Sequence, residues 1–218
     1  KVLSLVLDFN LYPRANVDSQ NVGYLVEALA AGATLPPVVI CKKSRRVIDG
    51  FHRCKAHMKH FGDDAQIEID ERDYKNDKAA FIEAVKLNAH HGVQLDRHDR
   101  VHCGLRAKEL EISTREMADA LNMQIGQYAK LLEDRTAFVG KAETPVALKS
   151  AVSKKLGGET ITRTQADALR HVGGNSVGFY VNQLLLFIEN DFIDEKNEKL
   201  LAQMEKLSEA LEKFLAKK

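Results

Sequence analysis

The stretch Pro36-Pro37-Val38-Val39-Ile40-Cys41-Lys42-Lys43-Ser44-Arg45-Arg46-Val47-Ile48-Asp49-Gly50-Phe51-His52-Arg53-Cys54-Lys55-Ala56 decides how the first half of this chain folds. Four apolar residues after a double proline read as a buried strand, Lys42 to Ser44 as a polar turn, and Arg46-Val47-Ile48 as the returning strand of a hairpin. Asp49-Gly50 then ends the strand, and a helix is expected from about His52 to Phe61. Working outward, Val2 to Leu7 is a second β-like run that Tyr12-Pro13-Arg14 breaks. Val22, Leu25, Val26 and Leu29 fall on one face of a helix over Val22–Ala31, closed by Gly32. On the other side, Gln66 to Ile69 alternates like a short strand. Residues 1 to about 75 therefore read as mixed α/β.

From Asp77 onward the period becomes helical. Phe81, Ile82, Val85 and Leu87 define one helix, Asp99 to Leu110 another, and Ser113 to Leu132 two short ones. Gly140 to Pro145 reads as a linker, followed by three helices of a small bundle, Val146–Leu156, Arg163–Val172 and Val177–Ile188, broken at Gly157-Gly158 and Gly173-Gly174. Ile193, Asn197, Leu200, Met204, Leu207, Leu211 and Phe214 step alternately by four and three, the seam of a two-stranded coiled coil with Asn197 at an a position. The expected fold class is α+β. A small mixed α/β domain (1–92) precedes a helix-turn-helix domain (93–140), a helical bundle (141–190) and a C-terminal dimerisation helix (191–218).

The chain has 218 residues, with 44% hydrophobic and 29% charged residues, an ordinary globular balance. A net charge of +1 excludes any global pull toward polyanions, so attraction to nucleic acid must be local. The three cysteines, Cys41, Cys54 and Cys103, form no Cys-x-x-Cys pair, which argues against a disulfide scaffold or a zinc site and for a reducing cytoplasm. No uncharged stretch is long enough to cross a bilayer, and no secretory signal pattern is read.

Local charge peaks at the hairpin, where Lys42, Lys43, Arg45, Arg46, Arg53, Lys55 and Lys59 stand against the single carboxylate of Asp49. Gly50 permits close backbone approach, the helix start presents free N–H groups, and Arg53 supplies a bidentate fork, three features that suit a phosphate. The same pattern would also arise from a solvated basic helix face. A second constellation, Leu87-Asn88-Ala89-His90-His91-Gly92, offers an amide and an imidazole to phosphate or metal, and equally suits a helix end.

Between Ser113 and Leu131 the residues Met117, Ala118, Leu121, Met123, Ile125, Tyr128 and Leu131 stand where a helix-turn-helix needs buried side chains, and Asn122 stands where the turn needs a left-handed residue. Ser113 or Thr114 would cap the first helix. The second, from about Gln124 to Glu133, would turn Gln124, Gln127 and Lys130 toward a major groove, with Thr114 beside them; Gln suits adenine, and Lys suits guanine or phosphate. A plain helical hairpin is the alternative, since Val93 to Lys141 carries as many acidic as basic residues.

Taken in order, the Leu35 to Ile40 strand, the Val47 to Ala56 box, Asn88 with His91-Gly92, and the helix-turn-helix resemble the ParB family over roughly residues 1 to 135. The resemblance implies a ParB/sulfiredoxin-like N-terminal fold, a helical DNA-binding domain and a dimerising C-terminus. It also implies CTP with Mg2+ in a pocket where Gly50, His52, Arg53, Asn88 and His91 hold the nucleotide and Asn88 faces the metal. Hydrolysis of the CTP type stays open, because Leu87 stands where ParB proteins usually have Glu, His91 where they have Arg, and His52 in place of the first Arg of their pair. That wording looks more like ParB-like proteins of phages, plasmids and antibiotic-cluster regulators. The implied role is sequence-specific DNA binding in plasmid, phage or chromosome partition, as a cytoplasmic, nucleoid- or plasmid-associated dimer with a partition ATPase as partner. Transcriptional regulation, or a phosphotransferase or nuclease on the same fold, is the alternative. Sulfiredoxin carries its catalytic Cys where this chain has Phe51, which argues against that reductase chemistry.

Overall fold

In the computed structural model, residues 1–90, 94–140, 144–169, 171, 177–190, 193–194 and 196–217 are described; His91, one of the residues expected at the nucleotide, lies outside them, as does the Gly173-Gly174 break. The chain divides into two compact units, Lys1–Gly174 and Asn175–Lys218.

The first unit opens with a short 3-10 turn, Val2–Ser4, where a strand-like run was expected. Only Val6 reaches the sheet, bridging Arg46 in parallel. Helix α1 (Ser19–Ala30) starts where the Asp18 side chain accepts from the Gln20 and Asn21 amides, three residues before the first apolar position of its stripe. The hairpin forms as the sequence predicts. Strand β1 (Val38–Cys41) pairs antiparallel with β2 (Val47–Asp49), setting Ile40 against Val47. Helix α2 (Phe51–Phe61) follows, and β3 (Ile69–Arg72) returns parallel to β1, three residues later than the alternation at Gln66 suggested. The order β2-β1-β3 puts β1 in the middle.

Successive side chains of a strand point to opposite faces, so a fully apolar β1 must be covered on both. Val38, Ile40 and Val47 pack with Phe51 and Cys54 of α2 and with Tyr12, whose ring stacks on Phe51 at 4.4 Å between centroids. Val39, Cys41 and Ile48 face the other way. There they join Phe81, Ala84 and Val85 of helix α3 (Asp77–His90) in a core continuous with the helices that follow.

Those helices are α4 (Arg97–Glu109), α5 (Thr114–Ala120) and α6 (Ile125–Arg135). Reciprocal capping boxes, Asp96 with Asp99 and Ser113 with Glu116, fix the first turns of α4 and α5. Gly104 of α4 leaves the space that α6 fills: a Cβ there would stand 2.6 Å from the Tyr128 hydroxyl.

Beyond α6 a small sheet takes the place of the expected linker and all-helical bundle, although the helices expected at Val146–Leu156 and Arg163–Val172 form in shortened versions. Strands β4 (Thr136–Val139) and β5 (Thr144–Ala147) pair antiparallel, α7 (Ser150–Leu156) crosses over, β6 (Thr160–Ile161) returns parallel to β4, and α8 (Arg163–Leu169) follows. Four-residue apolar runs such as Thr136 to Val139 are too short for periodicity to separate strand from helix, and Pro145 is tolerated because β5 is an edge strand in the order β5-β4-β6. Both sheets share one plan, a central strand, an antiparallel neighbour, a helix and a parallel return.

The second unit holds α9 (Val177–Glu189) and α10 (Glu198–Leu215). Asn197 is not an a-position residue inside a coiled coil; its side chain accepts from the Leu200 amide at 3.1 Å and caps α10. Large apolar side chains are exposed on both helices, among them Tyr180, Leu185, Leu207 and Leu211. Among the described residues, no helix is long and apolar enough to cross a membrane.

Candidate functional site

Gly50 sits between β2 and α2 with φ 109°, a left-handed value that disfavours any side chain. A Cβ there would lie 2.8 Å from Val38 Cγ2 and 3.1 Å from Arg53 Nε, so the cradle exists only because glycine occupies it. Gly50 is also the N-cap of α2, which has no side-chain cap. The first-turn amides thus face a cavity of about 510 Å3, together with the positive end of the helix dipole. Tyr12, Arg14, Asp49, His52, Arg53 and Asn88 are among the residues that line it, so four of the five residues expected at the nucleotide meet at one mouth.

Their arrangement is more self-contained than the sequence suggested. The Arg53 guanidinium pairs with Asp49 and donates to the Pro36 and Pro37 carbonyls at 3.1 and 2.9 Å. Asn88, one turn beyond Ala84 on α3, donates to the Ala84 carbonyl at 2.9 Å and to Asp49 Oδ1 at 3.3 Å. Asp49 is therefore the hub that ties β2, α2 and α3 together. Among the described residues no cluster of three His, Cys, Asp or Glu could hold a metal unaided. Both Asp49 oxygens are engaged, one by Asn88 and one by Arg53, so a Mg2+ ion here would have to displace part of that bonding and draw most of its ligands from phosphates and water.

His52 is not a free cation. Its Nε2 accepts from the Asp18 amide at 3.2 Å and lies 3.4 Å from the Tyr12 hydroxyl, while burial, with Arg14 nearby, pushes its pKa down. The Asp18 amide aimed at Nε2 needs that nitrogen as an acceptor, which favours the neutral ring with its proton on Nδ1, and the ring braces the loop ahead of α1. Two arginines of the basic hairpin are also tied up within the fold, while Lys42 and Lys43 stay exposed. Arg45 pairs with Glu71, and Arg46 with Asp8 and Asp77, clamping β2 to the start of α3. Sequence reasoning misses Arg14, which lines this cavity and reaches Asp99 at 3.4 Å, because in the sequence it stands only beside the Tyr12-Pro13 break.

Helices α5 and α6 are joined by a tight turn. Asn122 has φ 52°, Met117, Ala118, Leu121 and Tyr128 are buried, and Ser113, not Thr114, caps α5. Ile125 is 48% exposed and does not belong to the core as expected, because it opens α6 on the outer side. Gln124, Gln127 and Lys130 recur at three-residue spacing on the exposed face of α6, and Thr114 is exposed at the start of α5. Lys130 reaches Asp134 at 3.5 Å, a pair too exposed to hold it in place.

No protein-family model matches the chain. The chain is similar to ParB proteins. The chromosome-partitioning protein ParB from Caulobacter crescentus, C-terminally truncated and complexed to the centromeric parS site, matches 61% of this chain and 68% of its own, with a TM-score of 0.44 and 14% identity. A structure of the Caulobacter protein with CTP-gamma-S matches at a TM-score of 0.36 and 12% identity, over 61% of this chain and 74% of that one. A Pnob8-like ParB-N domain matches at 0.37 and 18% identity, over 67% and 54%. The streptomycin biosynthesis operon possible regulatory protein of Streptomyces griseus is 32% identical over 102 residues, 47% of this chain and 28% of that protein. The matched segment thus spans less than a third of that relative.

Proposed function

We propose that this chain is a ParB-like protein that reads duplex DNA through the outer face of α6 and takes a nucleoside triphosphate, of the CTP type, at the cavity around Gly50. The observation that carries the reading is the glycine cradle with Asp49, Arg53 and Asn88 at its mouth, in the same compact unit as the α5–α6 pair, where Gln124, Gln127 and Lys130 are exposed. The α2 amides would bind phosphoryl oxygens, Arg14 would add positive charge, and Arg53 would exchange part of its bond to Asp49 for the nucleotide. Mg2+ would neutralise phosphate charge beside Asp49 and Asn88. Partition of a plasmid, phage or chromosome, or regulation of transcription, as a homodimer, follows from the family likeness; the partition role would add an ATPase partner and a place on the nucleoid or plasmid.

The test pairs selection of bound duplexes from a random pool with labelled CTP and ATP. Gln127→Ala should relax base preference, and Lys130→Ala should weaken all duplexes alike, because base contacts specify and phosphate contacts position. CTP retention that Arg53→Ala lowers about tenfold, a difference of about 1.4 kcal/mol, supports the pocket. An unchanged duplex preference in both helix variants would remove α6 from the reading. DNA-independent transfer of phosphate to a small acceptor would favour the phosphotransferase instead.

A further inference from the structure

A second cavity, of about 530 Å3, opens on the other side of the Arg14 to Asp18 loop, between the start of α4, the end of α6 and the start of α7. Its charged lining is Arg14, Asp18, Asp96, Arg97, Asp99, Arg135 and Lys149, with His98 beside them. The carboxylates are already committed. Asp18 accepts from the Gln20 and Asn21 amides, Asp96 from the Asp99 amide, and Asp99 from the Ala15 and Asp96 amides while facing Arg14. Arg97, Arg135 and Lys149 line the same space.

Arg135 is the unusual one. It is 9% exposed, its guanidinium donates to Ser150 Oγ at 3.0 Å, and among the described residues no carboxylate lies within 4 Å of it. Burial and the neighbouring Arg97 lower its pKa, opposed only at longer range by Asp96 and Asp134. His98, which feels both Lys149 and Arg135, has a buried Nδ1 with no hydrogen-bond partner. A buried cation without a counter-ion is costly, and an orphaned ring nitrogen beside it adds to that cost. A planar guanidinium, an imidazole N–H and two flanking cations around one polar cavity form a donor set matched to a phosphate group.

We propose that this cavity binds a phosphate-bearing small molecule, held by Arg135 and His98 with Arg97 and Lys149 at the rim, at a site separate from the Gly50 cradle. A DNA backbone phosphate shares that chemistry, and titration separates the two sources. Because Arg135 is the last residue of α6, occupancy bears directly on the helix assigned to reading DNA.

The test is a titration of the full chain, labelled with nitrogen-15, with inorganic phosphate and pyrophosphate, following the Arg135 side-chain resonance and the Ala15 and Gln94 amides. Saturable shifts in the millimolar range or below are expected. The surface double variant Arg97→Gln/Lys149→Gln should raise the dissociation constant at least tenfold while the unliganded spectrum stays folded. Arg135→Lys, which keeps charge but not the fork, should weaken pyrophosphate more than phosphate. Arg53→Ala should leave the Arg135 response in place, so failure of the nucleotide reading and failure of this one are separable. Absence of any shift at tens of millimolar, or a response of Arg135 to duplex DNA alone, overturns the proposal.

Discussion

Gly50 combines two constraints that no other residue satisfies: a backbone in the left-handed region and a neighbour at 2.8 Å from where a side chain would begin. Gly50→Val is expected to destabilise the chain by about 1–3 kcal/mol, read by denaturant unfolding, and to abolish CTP retention even where the variant is folded. The histidines carry a second prediction at this scale. Burial lowers the pKa of His52, His57, His98 and His102, so each binds its proton more weakly when folded than when unfolded. Their neutral forms fit the fold above the ordinary value of about 6.5, and stability falls as pH drops through and below it. Asp77, held below its usual range by Arg46, acts in the same direction at lower pH. Unfolding free energy measured from pH 7 down to pH 5 should decline steadily, and His98→Gln should flatten part of that slope.

At the scale of elements, the paired helices α5 and α6 with the turn at Asn122 were legible because their signals are local. A Ser/Glu capping box, small and apolar residues at helical spacing and an Asn at the turn all act within twenty or so residues. Asn122→Gly should stabilise by up to about 1 kcal/mol by relieving the positive φ, and Ser113→Ala should cost about 1 kcal/mol, both visible as shifts in the thermal midpoint. The first hairpin and α2 were legible for the same reason. The second sheet was not: β4, β5 and β6 are four, four and two residues long, and their strand character comes from pairing among Thr136–Val139, Thr144–Ala147 and Thr160–Ile161, which no local pattern encodes. The site shows the same divide. Gly50, Arg53 and Asn88 announce themselves by residue type, whereas the neutral, bracing role of His52 and the placing of Arg14 depend on tertiary neighbours.

For the whole molecule, the Asn175–Lys218 unit leaves Tyr180, Leu185, Leu207 and Leu211 exposed, more apolar surface than a lone helical pair usually shows to water. Pairing of two chains through α10 is the expected remedy, and it keeps the heptad seam of the sequence although Asn197 serves as a cap. Sedimentation should report a dimer, and Leu207→Lys with Leu211→Lys should shift it to monomer without loss of the Lys1–Gly174 fold. Binding of duplexes with two half-sites should then fall far more than binding of single half-sites, because tethering of the two reading heads is lost.

Arg135 ends α6 and Thr136 begins β4 with no residue between them. The helix is thus welded to a sheet, like a key forged in one piece with its bow. On the proposed reading, its tilt in a DNA groove would be set by the stiffness of β4 and its neighbours, and grafting α5 and α6 alone onto another scaffold should cost discrimination between DNA sequences even with every outward side chain retained.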